Sequence, residues 1–194
     1  MIRIAVVGEI GSGKTYVGRC FRYPMFNADE EVKKIYQNNK LCFNKLKKKF
    51  PKYIRKSSTI KTDLRKIISK KNLNIISKIV HPYVRINLRK FLKKNRKKRF
   101  IVLDIPLLIE NKLYKKSDIL IYVNAPQKKI VQRLKNRGGY DPEVFKILKS
   151  KQLSKNKKKI LSDFTIENDS SLNNVIKQIK KIKKNINDRS SSRY

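Results

Sequence analysis

Apolar positions recur along this chain at two periods. From Ile2 to Val7 nearly every residue is apolar and β-forming, with Arg3 the only charged interruption. Such a run suits a strand buried on both faces of a parallel sheet. Phe100–Asp104 and Ile119–Val123 read the same way, Asp163–Ile166 more weakly, and Met25–Asn27 as a short strand. Elsewhere the spacing of apolar residues shifts to three and four, the period of an amphipathic helix. Glu30–Gln37 follows Asp29, a helix N-cap by type. Leu41–Phe50, Leu64–Ser69, Leu73–Val80 and Val84–Lys94 come next, then Lys128–Arg137 after Pro126, Glu143–Lys149 after Pro142, and Leu172–Ile186. His81-Pro82 divides two of these helices, because a residue before proline is steered out of the α region.

Strands alternating with helices predict a parallel α/β sheet covered on both faces. The stretch 36–98 holds no convincing strand and reads as a helical insertion within a single domain, 1–187. Residues 188–194 read as a disordered tail.

Residues 8–15, GEIGSGKT, fit the phosphate-binding pattern G-x-x-x-x-G-K-[ST] at Gly8, Gly13, Lys14 and Thr15. The pattern sits behind a strand and before a helix, where it belongs. Glycines let backbone N–H groups close around phosphate oxygens, and Ile10, Gly11 and Ser12 complete the cradle. Lys14 has the reach for β- and γ-phosphates, and Thr15 offers a hydroxyl to Mg²⁺. The octapeptide thus predicts a nucleoside triphosphate site.

The chain has 194 residues and is 39% hydrophobic, enough for one core, while its formal net charge is +37. Two readings of that charge compete. One is binding to nucleic acid or to a membrane surface. The other is a composition biased toward residues with A/T-rich codons, since Lys, Asn and Ile are all abundant. The even spread of mostly Lys favours bias, and no specific nucleic acid and no membrane are expected as partners. Cys20 and Cys42 show neither metal spacing nor a disulfide framework. Without a signal-like or membrane-spanning segment, a reducing, cytoplasmic setting is expected.

Several residues beyond the loop are candidates for chemistry. Asp29 stands where a short strand enters a helix, the end at which open α/β sheets bind ligands. It either handles a substrate hydroxyl or only caps the helix, and spacing leaves both open. Asp104 ends a strand, where an acid contacts Mg²⁺ through water or closes the loop by a hydrogen bond. Glu110 is a candidate substrate contact. His81 is the only histidine, which excludes sites built on several. It is a packed turn residue or a substrate contact. Arg133 and Arg137, four apart, either clamp anionic oxygens or form a solvated basic face. Gln152 with Lys155, Lys157, Lys158 and Lys159 is a lid over a nucleotide or plain surface.

Taken in order, these motifs resemble those of the dephospho-CoA kinase family. The order runs G-x-I-G-S-G-K-T, then N-A-D, H-P-x-V from His81 to Val84, D-x-P-L-L-x-E from Asp104 to Glu110, A-P with R-L-x-x-R, then Gln152 and S-D-F-x-I-x-N ending at Asn168. The resemblance implies a P-loop kinase fold: a five-stranded parallel sheet flanked by helices, a helical substrate-binding insertion and a lid over about 137–160. It implies ATP and dephospho-CoA as substrates, Mg²⁺ as cofactor, and phosphorylation of the ribose 3′-hydroxyl. By the same likeness Asp29 is the catalytic acid/base, and His81, Pro106, Leu107 and Glu110 surround the acceptor. Arg133 and Arg137 are expected near the nucleotide.

The chain departs from the family pattern in places. Asn27 replaces the first acid of D-A-D, Glu9 replaces a glycine, and Lys155 and Lys158 stand where arginines are usual. Another small P-loop kinase and a basic nucleic-acid-binding protein are the competing readings.

Overall fold

The structure is a computed structural model and describes residues 1–136 and 141–191. Strand β1 (Ile2–Gly8) is nearly all buried and sits at the centre of the sheet. It leads through the glycine loop into helix α1 (Lys14–Cys20), and β2 (Met25–Asn27) follows. Helices α2 (Ala28–Asn38), α3 (Lys40–Lys49), α4 (Ile60–Arg65) and α5 (Lys70–Lys94) fill the space before β3 (Phe100–Asp104). Strand β4 (Ile119–Asn124), helices α6 (Gln127–Asn136), α7 (Pro142–Lys149) and α8 (Lys155–Ile160), strand β5 (Phe164–Glu167) and helix α9 (Leu172–Ser191) complete the order.

The five strands form one parallel sheet in the order β2-β3-β1-β4-β5, as the resemblance implied. Arg3, the exception in β1, is held by a bidentate pair with buried Asp118, its Nε reaching Oδ1 at 2.6 Å. That pairing lets a charged residue sit in a strand otherwise built for burial.

Both faces of the sheet are covered. Val17 of α1, Phe21 just after it, and Val175, Ile179, Ile182 and Ile186 of α9 cover the face that carries Ile4, Val6, Val102 and Ile121. Leu88 and Phe91 of α5, with Leu108 and Ile109, cover the face that carries Ala5, Val7, Leu103 and Tyr122. A third cluster belongs to the helical stretch: Ile35, Cys42, Leu46, Phe50, Ile54, Ile60, Leu64, Ile76 and Val80 pack together.

Four elements differ from the sequence expectation. The helix expected over Leu64–Ser69 instead spans Ile60–Arg65, because Ile60 and Leu64, four apart, both pack into the insertion cluster. His81-Pro82 does not divide the helix; α5 runs through it for 25 residues. An interior proline costs about 3 kcal/mol. Here one apolar stripe continues past it, with Ile76, Val80, Tyr83 and Val84 in the insertion cluster and Val84, Leu88 and Phe91 against the sheet. Helix α8 escaped notice because its sequence, KNKKKI, has no apolar period. Helix α9 continues past Asp188 to Ser191, since no glycine or proline stops it after Ile186. Residues 192–194 of the expected tail lie outside the described residues, and so does Arg137.

Candidate active site

The phosphate loop leaves no room for a side chain at Gly8 or Gly13. A Cβ on Gly8 would stand 2.6 Å from the Val123 carbonyl oxygen, and one on Gly13 would stand 2.2 Å from Asn168 Nδ2. Gly13 also has φ +91°, in the left-handed region. Buried Asn168, just past β5, donates through Nδ2 to the Ser12 carbonyl at 2.7 Å. Arg133 on α6 reinforces the same loop. It donates to the Ser12 carbonyl at 3.0 Å, to Asn168 Oδ1 at 3.2 Å and to Ser170 Oγ at 2.9 Å. These contacts brace the loop. Gln152 Oε1 accepts from the Ile10 N–H at 3.3 Å, closing the loop from the other side.

Lys14 and Thr15 begin α1 and face the carboxyl ends of β1, β2 and β3. Lys14 Nζ donates to the Glu9 carbonyl at 2.8 Å and the Gly8 carbonyl at 3.3 Å. The Thr15 hydroxyl donates to Asp104 Oδ2 at 2.5 Å, and Asn27 Nδ2 donates to the same oxygen at 2.7 Å. Asp104 is buried, and burial raises its pKa above the usual carboxylate value. The Thr15 hydrogen bond and the Lys14 charge oppose that rise, while the charges of Asp29 and Glu30 add to it.

Asp29 is not the cap of α2. Asn27 takes that place, its Oδ1 accepting from the Glu30 N–H at 2.8 Å. Asp29 sits exposed in the first turn of α2. The sequence could not separate the two because both types cap well, and the helix begins two residues earlier than its apolar pattern suggests.

The presumed acceptor residues divide. Pro106 is exposed, and Leu107 adopts a left-handed φ of 56°, a strained value for leucine. His81 is exposed on α5, its pKa lowered first by partial desolvation and then by Arg85. Glu110 turns the other way: it pairs with Lys158 Nζ at 3.0 Å and accepts from the Leu153 N–H at 3.0 Å. Lys158 is 2% exposed, whereas Lys155, Lys157 and Lys159 are exposed. The cationic segment is therefore part anchor and part surface. Asn27, Asn168 and the Lys158–Glu110 pair were missed as working parts; the first two are legible only as polar residues at strand ends.

The site suits Mg²⁺ brought by a nucleotide. Thr15 gives its proton to Asp104 and accepts from Asn27 Nδ2 at 3.3 Å, so one oxygen lone pair is left for a cation, with a carboxylate directly behind. Among the described residues no three His, Cys, Asp or Glu are grouped to hold a metal by themselves. Mg²⁺ ordinarily relies on substrate phosphates and water rather than a protein cage, and this donor set fits that habit. Among the described residues no helix is long and apolar enough to cross a membrane.

Comparison with known proteins agrees with the geometry. The family profile described as dephospho-CoA kinase matches residues 2–174. A dephospho-CoA kinase of Wolbachia pipientis wMel is 32% identical over 191 residues, covering 95% of this chain and 97% of that protein. A crystal structure from Thermus thermophilus superposes with a TM-score of 0.76 at 24% identity, over 93% of this chain and 95% of its own. Dephospho-CoA kinase from Campylobacter jejuni superposes with a TM-score of 0.61 at 20% identity, over 95% and 96%.

Proposed function

The chain belongs to the dephospho-CoA kinase family, and on that premise we propose that it phosphorylates the ribose 3′-hydroxyl of dephospho-CoA with ATP. The observation that carries this reading is a family match spanning residues 2–174, with a phosphate loop whose Thr15 bonds Asp104, a carboxylate that in turn feels the charge of Asp29.

The residues divide the work. The loop Gly8–Thr15 receives the ATP phosphates through its backbone. Lys14 exchanges the Gly8 and Glu9 carbonyls for phosphate oxygens and offsets charge developing on the transferred group. Thr15, backed by Asp104, would hold Mg²⁺, which when bound with the nucleotide supplies charge neutralisation at the phosphate oxygens. The acceptor lies over the carboxyl ends of β2 and β3, where His81, Pro106 and Leu107 orient it. As the 3′-oxygen bonds to the γ-phosphorus, the bond from that phosphorus to the β–γ bridging oxygen breaks. ADP leaves, and Asp29 takes the hydroxyl proton.

Glu110 serves the site through Lys158, by holding segment 152–160 against the loop that follows β3. Arg133 serves by keeping the phosphate loop closed.

The test is ADP release with ATP and Mg²⁺, comparing dephospho-CoA with a nucleoside monophosphate and with shikimate as acceptors. Dephospho-CoA should be preferred, and EDTA should abolish the reaction. A folded chain that releases no ADP with dephospho-CoA above background refutes the assignment.

A further inference from the structure

Asn27 uses both ends of one amide. Its Oδ1 accepts from the Glu30 N–H at 2.8 Å and so caps α2, the helix that carries Asp29. Its Nδ2 donates to Asp104 Oδ2 at 2.7 Å and to Thr15 Oγ1 at 3.3 Å. Parallel register explains the meeting, since Asn27 of β2 stands opposite Asp104 of β3 at the strand ends. Both residues are buried, 6% and 4% exposed, so the contact is not diluted by water.

Few side chains satisfy both demands. Aspartate would cap equally well but would present an acceptor to Asp104 where a donor is needed. Two buried carboxylates at that distance must share a proton or recruit a cation. Serine would cap but is too short to reach across the strand pair. Alanine would do neither.

We propose that Asn27 is a positioning residue for metal-bound nucleotide. Its amide fixes the Asp104 carboxylate so that Oδ2 receives the Thr15 proton, and the amide itself occupies one Thr15 lone pair, which orients the hydroxyl and leaves the other lone pair for the cation. The inference rests on the phosphate-loop reading above and extends it to a residue at which this chain departs from the family's D-A-D.

The test compares wild type with Asn27→Asp and Asn27→Ser in the full chain. ATP binding is measured by calorimetry in Mg²⁺ and in EDTA, and nucleotide-free melting is measured with and without Mg²⁺. Both variants keep a cap, so a purely structural Asn27 predicts wild-type behaviour in every measurement. The positioning role predicts that the Mg²⁺-dependent gain in ATP affinity shrinks roughly tenfold in Asn27→Ser while affinity in EDTA holds. It also predicts that Asn27→Asp, and not wild type, melts several degrees higher when Mg²⁺ is added without nucleotide.

An unchanged Mg²⁺ gain in Asn27→Ser overturns the proposal. So does an equal loss in Mg²⁺ and EDTA, which would place the damage in the loop, and so does an Asn27→Asp melting point indifferent to Mg²⁺. A wild-type chain whose ATP affinity gains nothing from Mg²⁺ overturns it together with the kinase reading. A wild-type chain that shows the gain but does not phosphorylate dephospho-CoA refutes the acceptor assignment alone.

Discussion

Asp29→Asn separates chemistry from architecture more cleanly than any other change at this site. The substitution keeps shape and removes one charge and one base. Asparagine would keep a cap as well as aspartate does, and Asn27 holds that position in any case, so helix α2 is not at stake. What Asp29 contributes to α2 is a negative charge in the first turn, worth about 0.3–1 kcal/mol at an exposed site. On a chain of this size that shifts the melting temperature by about 1–4 °C. A positioned acid/base contributes roughly 10²–10⁴ in rate, or about 2.7–5.4 kcal/mol of barrier. The two effects differ severalfold and are read in different assays. Steady-state ADP release with dephospho-CoA should show kcat falling by at least roughly 10²-fold, with KM for ATP within about twofold, because the loop is untouched. Thermal melting of the same sample should stay within the small helix-charge range. A kcat within about threefold of wild type refutes Asp29 as the group that handles the proton. An equal drop in melting temperature and rate would refute the separation itself.

Glu110→Gln leaves buried Lys158 without its counter-ion and should destabilise the chain by about 3–5 kcal/mol, measured by urea titration; a loss below about 1 kcal/mol would show that the pair is not holding segment 152–160. Lys14→Ala should lower kcat by roughly 10²-fold or more in the same ADP assay, since a preorganised cation is removed from the phosphoryl group. Cys42 is fully buried, its thiol pushed up to about 11 by desolvation, so a thiol reagent should modify half-buried Cys20 and spare Cys42 until denaturant is added. The lowered pKa of His81 means the unfolded chain binds the proton more tightly. Stability should therefore rise with pH up to about 6.5 and level above it, and His81→Gln should remove that part of the slope in urea titrations at pH 5–8.

The frame of the fold was legible because burial writes itself into composition. All five strands were anticipated within a residue at either end, since a parallel sheet with both faces covered demands unbroken apolar runs. The phosphate loop was legible for a different reason: its glycines answer to a backbone path in which a Cβ at Gly8 or Gly13 has no space. What stayed hidden depends on partners far apart in sequence. Pro82 was read as a break because the rule is local, whereas the apolar stripe from Ile76 to Phe91 outweighs it through two separate clusters. Glu110 and Lys158 each look like ordinary surface charges until α8 brings them together. The Asn27 amide has no meaning apart from Asp104, and the two meet only across a strand pair.

The position of β1 has a consequence for the newborn chain. The phosphate loop is made before every strand and side chain that supports it. Its strand pairs with β3, beginning at Phe100, and with β4, beginning at Ile119, and Asn168 then props the Ser12 carbonyl from beneath. At translation speeds of about 5–20 residues per second, the octapeptide waits on the order of ten seconds or more for that last support. Until β3 and β4 arrive, β1 is a strand with both edges open, the condition in which a nascent chain is most prone to pair with the wrong neighbour. A nucleotide-binding pulse on stalled ribosomes would therefore time the final act of folding: a chain competent for ATP has brought β5 home.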